Sequence, residues 1–127
     1  MANTAAAARG SGAIDYLVLD SAAGATAQEL SDLVKAVDVV VVPTAPAMLD
    51  LRALRQTLTS TEAARRQNTE QSLPDFCKIL LTLAPPHPNQ DGALARARLT
   101  GDGLPLFQAA IGRRAIIARA FEREPGL

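Results

Sequence analysis

The sequence has no tryptophan, and only 3% of its residues are aromatic, so any core must be built from Ala, Val, Leu and Ile. A single cysteine, Cys77, leaves no internal disulfide. It lies in the apolar run FCKILL and is expected as a buried, reduced strand residue rather than a reactive thiol. The single histidine, His87, stands between prolines with no Cys or carboxylate at ligand spacing, which argues for an exposed loop residue and against a metal ligand. No apolar run approaches the roughly 18 residues that cross a bilayer, so no membrane association is expected. The start, MANTAAAARGSG, lacks the basic-then-apolar pattern of a secretory signal, and a cytoplasmic location is the expectation that follows.

What is present suits one folded domain. The chain has 127 residues, 48% hydrophobic and 20% charged, which predicts a globular core rather than disorder. Net charge is zero but unevenly spread: residues 1–50 carry −4 and residues 51–127 carry +4. That asymmetry permits a basic surface towards the C-terminus.

Strand and helix patterns alternate along the chain. After an Ala-rich segment, flexible or helical, over 1–13, IDYLVLD (14–20) reads as a strand buried on both faces. TAQELSDLVKAV reads as a helix with Leu30, Leu33, Val34 and Val37 on one face, and Thr26 and Glu29 have capping-box spacing. VVVVP (39–43) predicts a second buried strand stopped by Pro43. Asp50 is a candidate cap for a helix carrying Leu51, Leu54 and Leu58, and QNTEQSLPD is expected as a loop. FCKILLTLA (76–84) predicts a third strand, GALARARLTGDG a helix with glycine stops, LPLFQAAI a fourth strand, and the tail a short amphipathic helix. No internal repeat or domain boundary is evident. The pattern predicts an α/β fold: a parallel sheet with helices on both faces.

In such sheets ligands bind beyond the carboxyl ends of the strands. Four stretches qualify: Asp20–Gly24, Pro43–Pro46, Thr82–Pro88 and Ile111–Arg113. A carboxylate ending a buried strand can hold Mg²⁺ directly or through water, and a glycine four residues on lets a backbone N–H approach an anion. The same Asp can equally be a turn or helix cap. Arg113, Arg114, Arg119 and Arg123 form a second cluster, within a segment (92–127) of six Arg against three acids. With Glu122 and Glu124 interleaved, it also reads as an ordinary solvated helix face. Met48 and Leu49 suit a core position or a helix start.

The segment DYLVLDSAAG resembles the Walker A′ segment of the ParA/MinD family of deviant-Walker P-loop partition ATPases. DVVVVPTAPAMLDLRAL is similar to that family's next strand, PT-x-P loop and helix start, and KILLTLAPPHPNQ to the strand and loop bordering its adenine. GLPLFQAAIGRRAIIARAFEREPGL is similar to its last strand, Arg-bearing turn and closing helix. The resemblance runs from residue 14 to the end and in the family's order. It implies a P-loop NTPase-like fold of the SIMIBI type over 14–127, with ATP and Mg²⁺ as cofactors. Asp20, Gly24, Pro43, Thr82 and Pro85 would border the nucleotide, Asp20 on the Mg²⁺ side through water. Arg113, Arg114, Arg119 and Arg123 would contact DNA phosphates without sequence preference. Implied partners are DNA, a partition partner protein, and a homodimer mate or full-length homologue, with a dimer contact as the alternative role of Met48 and Leu49.

The departures matter as much. The family's KGGxGK(S/T) loop is absent: the only lysines, Lys35 and Lys78, lie in or beside apolar segments, and RGSG at 9–12 leads into a strand pattern without lysine. The catalytic switch aspartate that precedes the DYLVLD segment in the family is missing too. The resemblance therefore predicts a partial domain, truncated at its N-terminus, with no catalytic residues and no ATP hydrolysis on its own. The alternative function is a non-catalytic module that pairs with a full-length homologue or with itself, because a sheet lacking a strand exposes its edges. A receiver-like α/β domain wants several acids at strand ends and a late lysine; here Asp20 is joined only by Asp15, at the opposite end of its strand.

Overall fold

The computed structural model describes residues 2–21, 25–67, 69, 73–85, 90–114 and 119. The elements run α1 (Ala2–Ser11), α2 (Ala27–Ala36), β1 (Val40–Thr44), a 3-10 turn (Pro46–Met48), α3 (Leu51–Arg66), α4 (Leu73–Phe76), β2 (Cys77–Ala84), α5 (Asp91–Gly101) and β3 (Leu106–Gly112). The fold is α/β, with a three-stranded, all-parallel open sheet in the order β1-β2-β3. The chain forms two compact units, each drawn from two stretches: residues 1–40 with 50–77, and residues 41–49 with 78–127. No linker marks the division, because the units interleave along the sequence.

The first unit is helical. Thr26 opens α2 with the expected capping box: the Glu29 backbone N–H donates to the Thr26 hydroxyl at 3.2 Å, and the Thr26 N–H and hydroxyl donate to Glu29 Oε2 at 2.8 and 2.9 Å. Those bonds, the backbone one foremost, hold the Glu29 carboxyl below its ordinary range. Asp50 caps α3 as predicted, accepting from the N–H groups of Arg52 and Ala53. Leu54, Leu58, Thr61, Ala64 and Arg65 share the buried face of α3, which packs on α2 around Val34.

The carboxyl end of α2 has no glycine. The chain leaves it in an extended conformation at Val37, so its last carbonyls need outside donors. Arg65 supplies them: its Nη1 donates to Val34 O at 3.0 Å and to Val37 O at 2.6 Å. The same guanidinium lies 5.1 Å from the centroid of the Phe76 ring. A second arginine reaches the same helix end from α1, where Arg9 donates to Ala36 O and pairs with Asp38 at 2.7 Å. That pair is exposed and contributes little.

The second unit holds the sheet apart from the first residues of β1 and β2. Cys77, Ile79 and Leu81 are buried at alternate positions of the central strand β2, and Ala95 and Leu99 of α5 are buried as well. α5 packs on β3, and Arg96 donates to Phe107 O at 2.8 Å. The helix stops at Gly103, whose φ of +69° permits paired bonds from Gly103 N to Thr100 O and from Leu104 N to Leu99 O.

Four expectations require correction. Residues 14–20 form no strand: they are irregular, with a bend at Asp15, and unpaired among the described residues, with Tyr16 90% and Val18 88% exposed. Strong β propensity does not make a strand without a neighbour to complete its hydrogen bonds. Pro43 does not stop its strand but sits inside β1, which is tolerated because β1 is an edge strand. The segment 104–111, expected as a strand in the covered sheet, instead leaves Gln108 to Ile111 exposed in β3, at the other edge. Residues 73–75, expected within a loop, and Phe76, expected to open a strand, form a single helical turn, and most of the predicted tail helix lies outside the described residues.

Replacing Arg65 with Met keeps its apolar bulk but strips one buried and one part-buried carbonyl of their donor. We expect a loss of about 3 kcal/mol in urea unfolding, with Arg65→Lys recovering only part.

Candidate functional site

The predicted nucleotide residues fall in both units. Asp20 belongs to the first. It is exposed and has no hydrogen-bond or ion-pair partner among the described residues. Gly24, its expected companion, lies outside the described residues. Pro43, Thr82 and Pro85 belong to the second unit. Pro43 is exposed near the end of β1, Thr82 is half-buried near the end of β2, and Pro85 follows β2 directly.

The carboxyl end of β2 is irregular. Leu81 pairs with Ala110 and Ala84 with Gly112, so three steps on β2 face two on β3. The extra residue is a bulge. Leu83 takes it up with a φ of +53°, a left-handed conformation unusual for a bulky side chain, and stands exposed beside Thr82. Beyond this point the Arg113 N–H donates to Ala84 O at 2.8 Å, tying the end of β3 to that of β2.

An open cleft of about 470 Å³ lies among the segments that follow β1 and β2. Pro46, Ala47 and Leu49 line one side, and Asp91, Leu94, Ala95 and Arg98 of α5 line the other. This is where ligands of parallel sheets bind. The α5 residues were not among the sequence candidates. Their signal is weak: an acid at the helix start, an arginine seven residues on, and Leu94 and Ala95 between them on the same face. Asp91 occupies the first turn of α5. A carboxylate there takes up the positive end of the helix dipole and disfavours a phosphate at that helix start, while Arg98 gives the cleft one positive charge as well.

The donor set fits Mg²⁺-ATP poorly. Among the described residues no three His, Cys, Asp or Glu side chains group to hold a metal ion. Lys78 lies over the Phe107 ring at 5.7 Å, and Lys35 sits in the last turn of α2. Neither belongs to a glycine-rich phosphate loop. Of the proposed phosphate-contacting arginines, Arg113, Arg114 and Arg119 are exposed, and Arg123 lies outside the described residues. No helix is long and apolar enough to cross a membrane among the described residues. No protein-family model matches the chain, and no curated protein matches it.

Cys77 is buried at the head of β2, as expected, and desolvation raises its thiol pKa from 9.0 to about 11. Because the folded value is raised, the Cys77 contribution to stability is complete below pH 9.0 and is lost as pH rises through about 11. At about pH 8 the folded chain should react with a thiol-specific disulfide reagent far more slowly than the urea-unfolded chain. Equal rates would show that Cys77 is accessible.

Proposed function

We propose that the chain derives from the ParA/MinD lineage of partition ATPases and that by itself it associates with other chains rather than turning over ATP. The observation that carries this reading is the order of four segments: DYLVLDSAAG, the β1 segment with its PT-x-P loop, the β2 segment with its Pro-rich loop, and the β3 segment with its arginines. The parallel arrangement of β1, β2 and β3 agrees with that order. In a complete site of this lineage, Asp20 would orient the Mg²⁺ water and Gly24 would approach the terminal phosphate. Pro43, Thr82 and Pro85 would border the nucleotide, and Arg113, Arg114, Arg119 and Arg123 would reach DNA phosphates.

This chain has no lysine-bearing phosphate loop to neutralise a triphosphate. The purified protein is expected to hydrolyse ATP no faster than a buffer control, with or without DNA, and Asp20→Ala should leave that background unchanged. Turnover that Asp20→Ala abolishes would overturn the inactive reading.

A second reading, a non-catalytic interaction module, is favoured by a separate observation: among the described residues the largely exposed apolar segment 14–20 has no strand partner, and no strand pairs with the outer edges of β1 and β3.

A further inference from the structure

We propose that residues 14–20 of one copy of this chain add as a fourth strand to the β3 edge of a second copy, and that reciprocal exchange of the two segments closes a homodimer. The proposal deepens the interaction-module reading and rests on it.

The donor segment is available to pair. Residues 14–20 belong to no helix or strand, the chain bends at Asp15, and among the described residues no backbone hydrogen bond outside the regular elements involves them. Isoleucine, tyrosine and valine at 14, 16 and 18 would line one face of the new strand, with Leu17 and Leu19 on the other. Tyr16 and Val18, almost fully exposed, are the residue types that cross-strand pairs favour.

The acceptor can be chosen between the two edges. β1 carries Pro43, which has no N–H to give and blunts that edge, and Asp38 precedes it. β3 has neither a proline nor a charge over Leu106–Gly112, and it is seven residues long, as is the segment 14–20. Its outer residues, Gln108 to Ile111, are exposed.

Charge selects a second copy as the occupant. The segment has an acid near each end, Asp15 and Asp20, and nothing charged between them. β3 runs into Arg113 and Arg114, both exposed. Whichever way the segment lies along β3, one of its carboxylates meets that arginine pair. Docking also removes four exposed apolar side chains, Ile14, Tyr16, Leu17 and Val18, from water. Two such interfaces related by a twofold axis close on themselves and leave no free segment to continue a chain.

Light scattering on size-exclusion fractions of the whole chain tests this over a wide dilution series. The wild type should give twice 13.3 kDa, falling towards 13.3 kDa on dilution. Val18→Pro removes one amide donor from a segment that belongs to no element of the monomer, so it should yield monomer with an unchanged circular dichroism spectrum. Arg113→Glu with Arg114→Glu should raise the dissociation constant about fivefold, and adding Asp15→Lys with Asp20→Lys should restore it. Amides 16–19 should gain exchange protection in the dimer only. A dimer untouched by Val18→Pro would overturn the strand exchange while leaving self-association standing. A wild type that is monomeric at every concentration would overturn both, and would leave the ATPase lineage to its own assay.

Discussion

The helical unit is organised by the carboxyl end of α2, where a helix without a glycine stop turns directly towards β1. Exposed carbonyls at a helix end can be left to water, but Val34 is buried and its carbonyl is not so placed. Arg65 resolves this by bringing a cation with several donors across from α3. Its position on α3 follows from the register that buries Leu54 and Leu58, since residues seven and eleven positions beyond Leu54 fall on the same face. The guanidinium is stacked against Phe76, so the chain leading into β2 is held by the same group. One side chain thereby links the end of α2, the last turn of α3 and the entry to β2. A lysine could offer charge there, but not two directed N–H bonds and a flat face for the ring at once.

Much of the local structure was legible because it depends on neighbours close in sequence. The Thr26–Glu29 box, the Asp50 cap, the apolar stripe of α3 and the Gly103 stop each require only a few residues and were found where their spacing placed them. The burial of Cys77 was legible from the apolar run around it. What could not be read locally was Arg65. In sequence it is one of two adjacent arginines at the end of an amphipathic helix, and the face rule alone does not say that it meets the carbonyls of an earlier helix. The division into two units was equally hidden, because each is assembled from separated stretches with no linker between them.

The candidate site shows the same limit in another form. Pro43 and Thr82–Pro85 stand at the carboxyl ends of parallel strands, as topology required, and a bulge with Leu83 in a left-handed conformation marks that end of β2. The α5 side of the cleft was missed because Asp91, Leu94 and Arg98 have ordinary surface-helix spacing. Their position relative to β1 and β2 comes from the packing of α5, not from any motif. A carboxylate in the first turn of that helix opposes a phosphate at the helix start, and with Arg98 on the same side the cleft carries one charge of each sign.

Residues 14–20 bring these strands of argument together. Composition and resemblance both describe IDYLVLD as a buried strand of a parallel sheet, yet here its side chains face solvent. A strand is a pairwise object: its propensity is realised only when a neighbour offers a ladder of matching donors and acceptors. In the described sheet the β3 edge carries no charged residue over Leu106–Gly112 and is followed by two arginines, while Pro43 interrupts the opposite edge. The aspartate that suggests a nucleotide site is thus the same group that can meet Arg113 and Arg114 of another copy. Asp20 cannot be held rigidly at a strand end until residues 14–20 become a strand. With the proposed pairing, ordering Asp20 and forming the intermolecular sheet would be coupled, and any ligand that needs Asp20 in place would favour the paired state.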